Sequence, residues 1–288
     1  MSRRLRGREP SNSLNQITAS FFGQHPGYYV AIIFVGDNPS SAMYVHMKQT
    51  KAYELGLAIR IFGENTPSAD AICERIASCN IDPLCAGILV QLPLPPYLQA
   101  DQARIVKTIA PEKDCDGLSG ITLGQSLLGY GMVNPATPQA VLNLLDWYHL
   151  GDVRGCTCLV IGQSNLIGKP LVAMLQARNA SVLSANNDTS YEQLTRRCQE
   201  SDYIFSATGV ANLIIPSMVR HDNSQIIVDI GRGKKNGKAH GDCASQDLFP
   251  LVRAITPVPG GVGPMTIATL FYQCFLLVAA QEKGNHQV

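Results

Sequence analysis

The sequence predicts an α/β fold of two domains, and three observations carry that reading. Apolar runs of strand length alternate with stretches of helical periodicity, as parallel sheets with right-handed crossovers require. The alternation stops at Pro135-Ala136-Thr137-Pro138 and then restarts. The first strand after the restart runs into a glycine turn and a helix, the local pattern of a Rossmann-type nucleotide-binding domain. The expected division is residues 1–138 plus 265–288 as an N-terminal α/β catalytic domain and residues 139–264 as the Rossmann-type domain. The C-terminal helix is expected to return to the first domain.

The elements follow in order. Residues 28–35 form a near-continuous apolar run ending at Gly36-Asp37, a strand buried on both faces. A helix is predicted over 42–55: Asn38, Pro39 and Ser40-Ser41 supply turn and cap, no Gly or Pro interrupts, and Gly56 stops it. Tyr44 and Lys48, four apart, then share a face. Desolvation lowers a lysine pKa from about 10.4 toward the ~7–8 range useful in proton transfer, so the pair is a candidate acid/base group. On the pair alone, a snorkelling helix face is the leading reading, which only the rest of the chain can reverse. Residues 59–62 give a second strand, 69–79 an amphipathic helix, and 86–90 a third strand running into Gln91-Leu92-Pro93-Leu94-Pro95-Pro96. Ligands collect beyond the carboxyl ends of such strands, which places the Lys48 helix and Gln91 at one edge. After a helix over 100–109, Pro111-Glu112-Lys113-Asp114-Cys115-Asp116-Gly117 sets two carboxylates at what is either a site or an ordinary Asp-Gly turn.

In the second half, a helix over 139–148 precedes a strand at 156–161, followed by Gly162-Gln163-Ser164-Asn165-Leu166-Ile167-Gly168-Lys169-Pro170 and a helix to about residue 178. The spacing is G-x-S-x-x-x-G rather than G-x-G-x-x-G. It fits a turn aiming backbone N–H groups at a pyrophosphate and equally a structural strand-to-helix turn. Further strands fit 181–185, 203–207 before Thr208-Gly209, and 225–230 before Gly231. The stretch Thr256-Pro257-Val258-Pro259-Gly260-Gly261-Val262-Gly263-Pro264-Met265-Thr266 is a rigid loop, poor in side chains, that lets backbone approach a flat ligand.

Composition excludes several function classes. With 288 residues, 45% hydrophobic and 16% charged, the chain has room for two soluble cores. A net charge of +1 from scattered basic residues gives no reason for a nucleic-acid or membrane partner, and Arg3, Arg4, Arg6 and Arg8 read as a solvated tail. Nine cysteines without a C-x-x-C pair indicate neither a disulfide framework nor a zinc site; Cys156 and Cys158 are expected to pack as small apolar residues. No metal is expected, and the compartment is expected to be reducing and cytoplasmic. No apolar stretch follows the basic start, so no signal peptide is expected, and the apolar run at 265–280 reads as a buried helix too short to span a bilayer.

Three separated blocks, Tyr44-x-x-x-Lys48, the stretch from Gly87 to Pro95, and that from Thr256 to Thr266, join Asp114-Cys115-Asp116-Gly117 in one order. Together they closely resemble the bifunctional methylenetetrahydrofolate dehydrogenase/methenyltetrahydrofolate cyclohydrolase family over essentially the whole chain. The resemblance implies NADP-linked oxidation of 5,10-methylenetetrahydrofolate, hydrolysis of the methenyl product to 10-formyltetrahydrofolate, and a homodimer formed through the cofactor domain. By matching position it makes Lys48 the acid/base group, Tyr44 a residue that packs on the folate, Gln91 the partner of Lys48, and Asp116 the holder of the pterin. Leu92, Pro257, Gly260 and Gly261 become substrate contacts, and Gly162, Gln163, Ser164, Asp188 and Arg232 cofactor contacts.

Departures lie in the cofactor half. Gly162-Gln163-Ser164 stands where the family usually has Gly-Arg-Ser, and Asn186-Asn187-Asp188-Thr189 stands where it often has His-Ser-Arg/Lys-Thr. Asp188 would repel a 2′-phosphate and accept from a free ribose hydroxyl, so NAD is open beside NADP. Arg232, in Asp229-Ile230-Gly231-Arg232-Gly233, either recovers phosphate binding or crowds the site, and Ala136 replaces a family cysteine. Alternatives to the bifunctional enzyme are a cyclohydrolase with weakened or NAD-linked dehydrogenase activity and a folate-binding or partner-binding paralogue without turnover.

Overall fold

In the computed structural model, residues 2–63, 67–235 and 238–285 are described. In chain order the strands and α-helices are β1 (Arg3–Arg4), α1 (Arg8–Gln24), β2 (Tyr29–Ile33), α2 (Pro39–Glu54), β3 (Ala58–Phe62), α3 (Ala69–Ile81), β4 (Cys85–Val90), α4 (Gln102–Lys107), α5 (Gly120–Leu128) and α6 (Ala136–Trp147). There follow β5 (Thr157–Ile161), α7 (Gly168–Ala177), β6 (Ser181–Ala185), α8 (Tyr191–Glu200), β7 (Tyr203–Ser206), β8 (Ile226–Asp229), β9 (Gly233–Lys235), β10 (Lys238–His240), α9 (Ser245–Leu248), β11 (Ala254–Ile255) and α10 (Val262–Asn285). The chain divides into a unit holding Lys48 (Ser13–Ser126, Tyr130–Ala136, Ile267–Val288) and a unit holding Gly162 (Met1–Asn12, Leu127–Gly129, Thr137–Thr266).

The Lys48 unit is built on a parallel three-stranded sheet in the order β3-β2-β4. The pleat sends alternate residues of β2 to opposite faces. Val30 and Ile32 join Phe22 of α1, Val45 and Ala52 of α2, Leu55 just after α2, and Ile267, Leu270, Phe271 and Cys274 of α10. Tyr29, Ala31 and Ile33 join Ile72 and Ile76 of α3 and Ile105 of α4. A strand covered on both faces is apolar at every position, which is why β2 reads as a continuous run.

The C-terminal helix does return to this unit, but it is longer than expected. Val262–Lys283 is long and apolar enough to cross a membrane by length and composition, yet 61% of its most apolar window is buried within the structure, in the core just described. The helix expected over 100–109 is divided: a 3₁₀ turn, Pro96–Asp101, opens with Pro96 and runs into the shorter α4. Helices α1 and α5 and the antiparallel pair β9–β10 were not anticipated.

The Gly162 unit carries a six-stranded parallel sheet in the order β1-β11-β8-β7-β5-β6. Leu159, Ile161, Ile204 and Ile227 of its strands pack with Leu194 and Cys198 of α8, Leu248 of α9, and Ile255 of β11. The basic start is not a solvated tail. Arg3 and Arg4 pair with Ala254 and Ile255, and their guanidinium groups lie 4.5 Å over the rings of Tyr148 and Phe249 respectively. Between and beyond them, Leu5 is fully buried, and the Arg6 N–H donates to the Tyr148 hydroxyl, which donates back to the Arg6 carbonyl. Arginine stems cover apolar surface while their planar heads stack on aromatic faces, so a basic strand can edge this sheet. Residues 1–12 therefore group with the Gly162 unit, where the sequence division counts them with the first domain.

Gly87 of β4 shows how tightly the Lys48 unit is filled. A Cβ there would lie 2.7 Å from Cys115 Cβ and 3.1 Å from Cys274 Sγ. Gly87→Ala overpacks this buried junction and is expected to lower unfolding free energy by about 1–3 kcal/mol, read from urea denaturation midpoints.

Candidate active site

Helix α2 starts where Asn38 caps it: the Asn38 side-chain oxygen accepts from the Ser41 N–H at 3.1 Å and its carbonyl from the Ala42 N–H at 2.9 Å. It ends before Gly56, whose φ of +78° suits glycine. With Val45, Ala52 and Leu55 inward, Tyr44 and Lys48 stand half-buried on the helix flank, one turn apart.

The Lys48 ammonium donates to Gln91 Oε1 at 3.0 Å, and the Gln91 amide NH₂ donates to the Leu92 carbonyl at 2.9 Å. Gln91 is the first residue beyond β4, and its backbone N–H continues the ladder to the Ile33 carbonyl at 2.8 Å. The glutamine is thus held at both backbone and side chain, with its oxygen presented to the lysine. Leu92 follows it, and the Leu92-Pro93 peptide is cis.

The two carboxylates of the Asp-Gly loop have different work. Asp114 is buried and accepts from the N–H groups of Gly117, Leu118 and Ser119 at 3.0, 3.3 and 2.8 Å, bracing the loop before α5. Asp116 is the carboxylate that feels Lys48. Its carbonyl accepts from the Ala136 N–H at 3.1 Å, and Gly117 turns at φ +71° where a Cβ would lie 2.5 Å from the Asn134 carbonyl. Burial pushes the Lys48 pKa below its ordinary value, opposed by the charges of Asp116 and Cys115. Burial pushes the Asp116 carboxyl up, opposed by Lys48 and reinforced by Asp114. Burial disfavours the charge of each group while each supports its partner's, a balance of the kind found where protons are transferred.

In the other unit, β5 leads to Gly162 at φ +106°, where a Cβ would lie 2.5 Å from the Ala207 carbonyl oxygen; a Cβ at Gly168 would lie 1.9 Å from the Gly162 carbonyl oxygen. Both glycines are required by close backbone approach. Ser164 closes the turn, its hydroxyl accepting from the Ile167 N–H at 3.1 Å and its carbonyl from the Lys169 N–H at 3.0 Å. Among the described residues, no side chain caps the N-terminus of α7. From β5 the chain passes to β6 on one side and then to β7 on the other, so this turn sits where the strand order reverses. An uncapped helix N-terminus at such a point fits a dinucleotide pyrophosphate.

Gln163 Nε2 donates to Ser184 Oγ at 2.6 Å, and Gln163 Oε1 accepts from Asn186 Nδ2 at 3.3 Å. Asp188 is exposed on the loop after β6 and Arg232 on the loop after β8. Pro257, Gly260 and Gly261 lie before α10; the Gly260 carbonyl accepts from the Gly7 N–H at 2.9 Å and Gly260 turns at φ +101°. The structure therefore gathers Tyr44, Lys48, Gln91, Leu92 and Asp116 in one unit and the remaining expected residues in the other.

A buried acidic pair was missed by sequence reasoning. Asp229, at the end of β8, accepts from the N–H groups of Asp242 and Cys243 at 2.9 Å each, and burial pushes its carboxyl up to about 7. Asp242 accepts from the Ser206 hydroxyl and from the Thr208 N–H and hydroxyl. The signal was in the glycines, because a Cβ at Gly231 or Gly241 would lie 1.9 or 2.1 Å from these carboxylates.

Among family models, the catalytic domain of tetrahydrofolate dehydrogenase/cyclohydrolase matches residues 7–116 and its NAD(P)-binding domain matches residues 135–282. The chain belongs to the tetrahydrofolate dehydrogenase/cyclohydrolase family. It is 38% identical over 289 residues to the bifunctional protein FolD 2 of Lactobacillus johnsonii, covering 98% of this chain and 99% of that protein. Among solved structures, it is similar to the FolD methylenetetrahydrofolate dehydrogenase/cyclohydrolase of Campylobacter jejuni, with a TM-score of 0.88, 33% identity and coverage of 96% and 98% of the two chains. The bifunctional dehydrogenase/cyclohydrolase of Thermoplasma acidophilum also gives a TM-score of 0.88, at 28% identity over 98% of this chain and 100% of that one. Family membership makes the chain a tetrahydrofolate enzyme whose nucleotide is NAD(P).

Asp116→Asn removes the stronger of the two charges that support the Lys48 ammonium, so the lysine's pKa should fall further. Heteronuclear NMR titration of the Lys48 side chain checks this; an unchanged or higher midpoint contradicts it.

Proposed function

We propose that the chain oxidises 5,10-methylenetetrahydrofolate to the 5,10-methenyl compound with NAD(P) and hydrolyses that product to 10-formyltetrahydrofolate, with Lys48 as the acid/base group of hydrolysis. The observation that carries the assignment is the 3.0 Å hydrogen bond from Lys48 to a Gln91 side chain that is itself held in place, beside a carboxylate disfavoured by burial.

As the free amine, Lys48 takes a proton from water while the water oxygen bonds to the methenyl carbon. As the ammonium, it returns a proton to the ring nitrogen when that carbon–nitrogen bond breaks, and the hydroxyl proton of the adduct leaves to solvent as its oxygen becomes the formyl carbonyl, so one group serves both steps. Gln91 keeps the amine on station, Asp116 holds the pterin and sustains the ammonium form, and Tyr44 packs on the folate and orients it. NAD(P), when bound, supplies the hydride acceptor for the oxidation. The chain's part in that step is geometric: donor and acceptor carbons must be held about 3–3.5 Å apart and kept from water. Gly162, Gln163, Ser164, Asp188 and Arg232 are the residues assigned to the nucleotide. The substrate roles of Leu92, Pro257, Gly260 and Gly261 rest on the family resemblance. The same reading makes the protein a cytoplasmic homodimer without nucleic-acid or membrane partners.

Lys48→Met tests the assignment on two axes. Methenyl hydrolysis should fall by about 10²–10⁴-fold, followed by the decay of methenyl absorbance. Stability should not fall with it. The folded pKa of Lys48 lies below its ordinary value of 10.5, so the fold is penalised below the folded pKa, where the ammonium persists. That penalty lifts as pH rises from the folded pKa toward 10.5. The variant lacks the penalty, and its melting temperature near neutral pH should equal or exceed that of the wild type. Undiminished hydrolysis would sink the assignment.

A further inference from the structure

We propose that the nucleotide site selects an unphosphorylated adenosine ribose, favouring NAD over NADP, with Asp188 as the acceptor for the ribose 2′-hydroxyl and Gln163 as a neutral bridge where a cation would be needed for a 2′-phosphate. The inference deepens the nucleotide half of the proposed function and rests on it.

The hydrogen bonding of the loop after β6 is turned inward. The Asn186 N–H donates to Thr189 Oγ1 at 3.1 Å, while Asn186 Oδ1 accepts from the Asp188 N–H at 3.1 Å and from the Thr189 hydroxyl at 3.2 Å. Two backbone N–H groups and a hydroxyl that could have cradled a phosphate are therefore already engaged. The Gln163 bridge commits further donors, one from its own amide to Ser184 and one from the Asn186 amide to Gln163. What the loop presents outward is an acid: Asp188 is exposed, twenty residues beyond Gly168, about the interval at which dinucleotide folds place the carboxylate that binds a ribose hydroxyl.

Among the described residues, Arg197, Lys169 and Arg232 do not compensate. The Arg197 guanidinium donates to the Ser184 carbonyl at 2.6 Å, within β6 rather than beyond its end. Lys169 donates to Asn165 Oδ1 at 2.7 Å on the opening turn of α7. Arg232 lies three residues past β8, as Asp188 lies three past β6, and in the strand order β8-β7-β5-β6 those ends are three positions apart. At the spacing of neighbouring strands that is about 14 Å between the strand ends from which the two loops start. A dianionic 2′-phosphate at the Asp188 loop would meet a carboxylate and a neutral amide bridge; a hydroxyl would meet an acceptor it can donate to.

The test is equilibrium binding of NAD⁺ and NADP⁺ by isothermal titration calorimetry, on the full-length wild type and on the double variant Gln163→Arg/Asp188→Ser, with methenyl hydrolysis by the wild type measured alongside. Both substituted side chains are exposed, and circular dichroism with a thermal melt checks that the variant folds. The expected result is NAD⁺ binding at least about tenfold tighter in the wild type and a narrowed or inverted ratio in the variant. Equal or tighter NADP⁺ binding by the wild type overturns the proposal, as does a ratio the double variant leaves unchanged. Binding of neither nucleotide overturns it together with the dehydrogenase half of the function, whereas retained hydrolysis would leave the cyclohydrolase half standing.

Discussion

An ammonium and a carboxylate cannot both leave water cheaply, and the Lys48 unit is arranged around that constraint. Desolvation costs each ion several kcal/mol, and mutual attraction restores only part of it. Lys48 and Asp116 are placed where burial works against both charges and each supports the other. The groups around them limit the alternatives. Gln91 supplies a neutral acceptor, and Asp114, the nearer threat of a second negative charge, is occupied by three backbone N–H groups. The sheet contributes by position: β2 and β4 are parallel neighbours, so residues leaving their carboxyl ends converge although 43 positions separate Lys48 from Gln91.

Much of this was legible in the chain, and the limits have physical causes. Helix α2 was readable because its signals are local: Asn38 caps it, Gly56 stops it, and the period of Val45, Ala52 and Leu55 sets its buried face. The doubly buried strands were readable because two apolar faces leave no polar positions. The division of labour between Asp114 and Asp116 was not, since it depends on which carboxylate the turn at Gly117 directs toward the backbone. The arginines of β1 read as a tail because their stacking partners, Tyr148 and Phe249, are well over a hundred residues away. The Asp229–Asp242 pair escaped for a similar reason. Acidic residues beside glycines usually mark exposed turns, and only the packed fold shows that the glycines clear room for buried carboxylates.

The nucleotide half shows how a binding loop can be specified by what its donors already do. A turn whose amides and hydroxyl serve its own side chains is rigid, and rigidity reduces the ordering cost of binding. The same saturation removes the donors a more highly charged ligand would need. On the proposed reading, shape and selectivity come from one set of hydrogen bonds among Gln163, Ser184, Asn186 and Thr189.

The edge strand β1 has a consequence for how the chain is made. Its partner β11 is synthesised about 250 residues later, which at ~5–20 residues per second is roughly 12–50 s of translation. Throughout that interval β1 lacks the strand it pairs with, although Tyr148, on which Arg3 stacks, is made about a hundred residues before Ala254. Strand β1 is thus seated only after β11 is made, and a Gly162 unit excised as the continuous piece Thr137–Thr266 would have an open edge where β1 belongs.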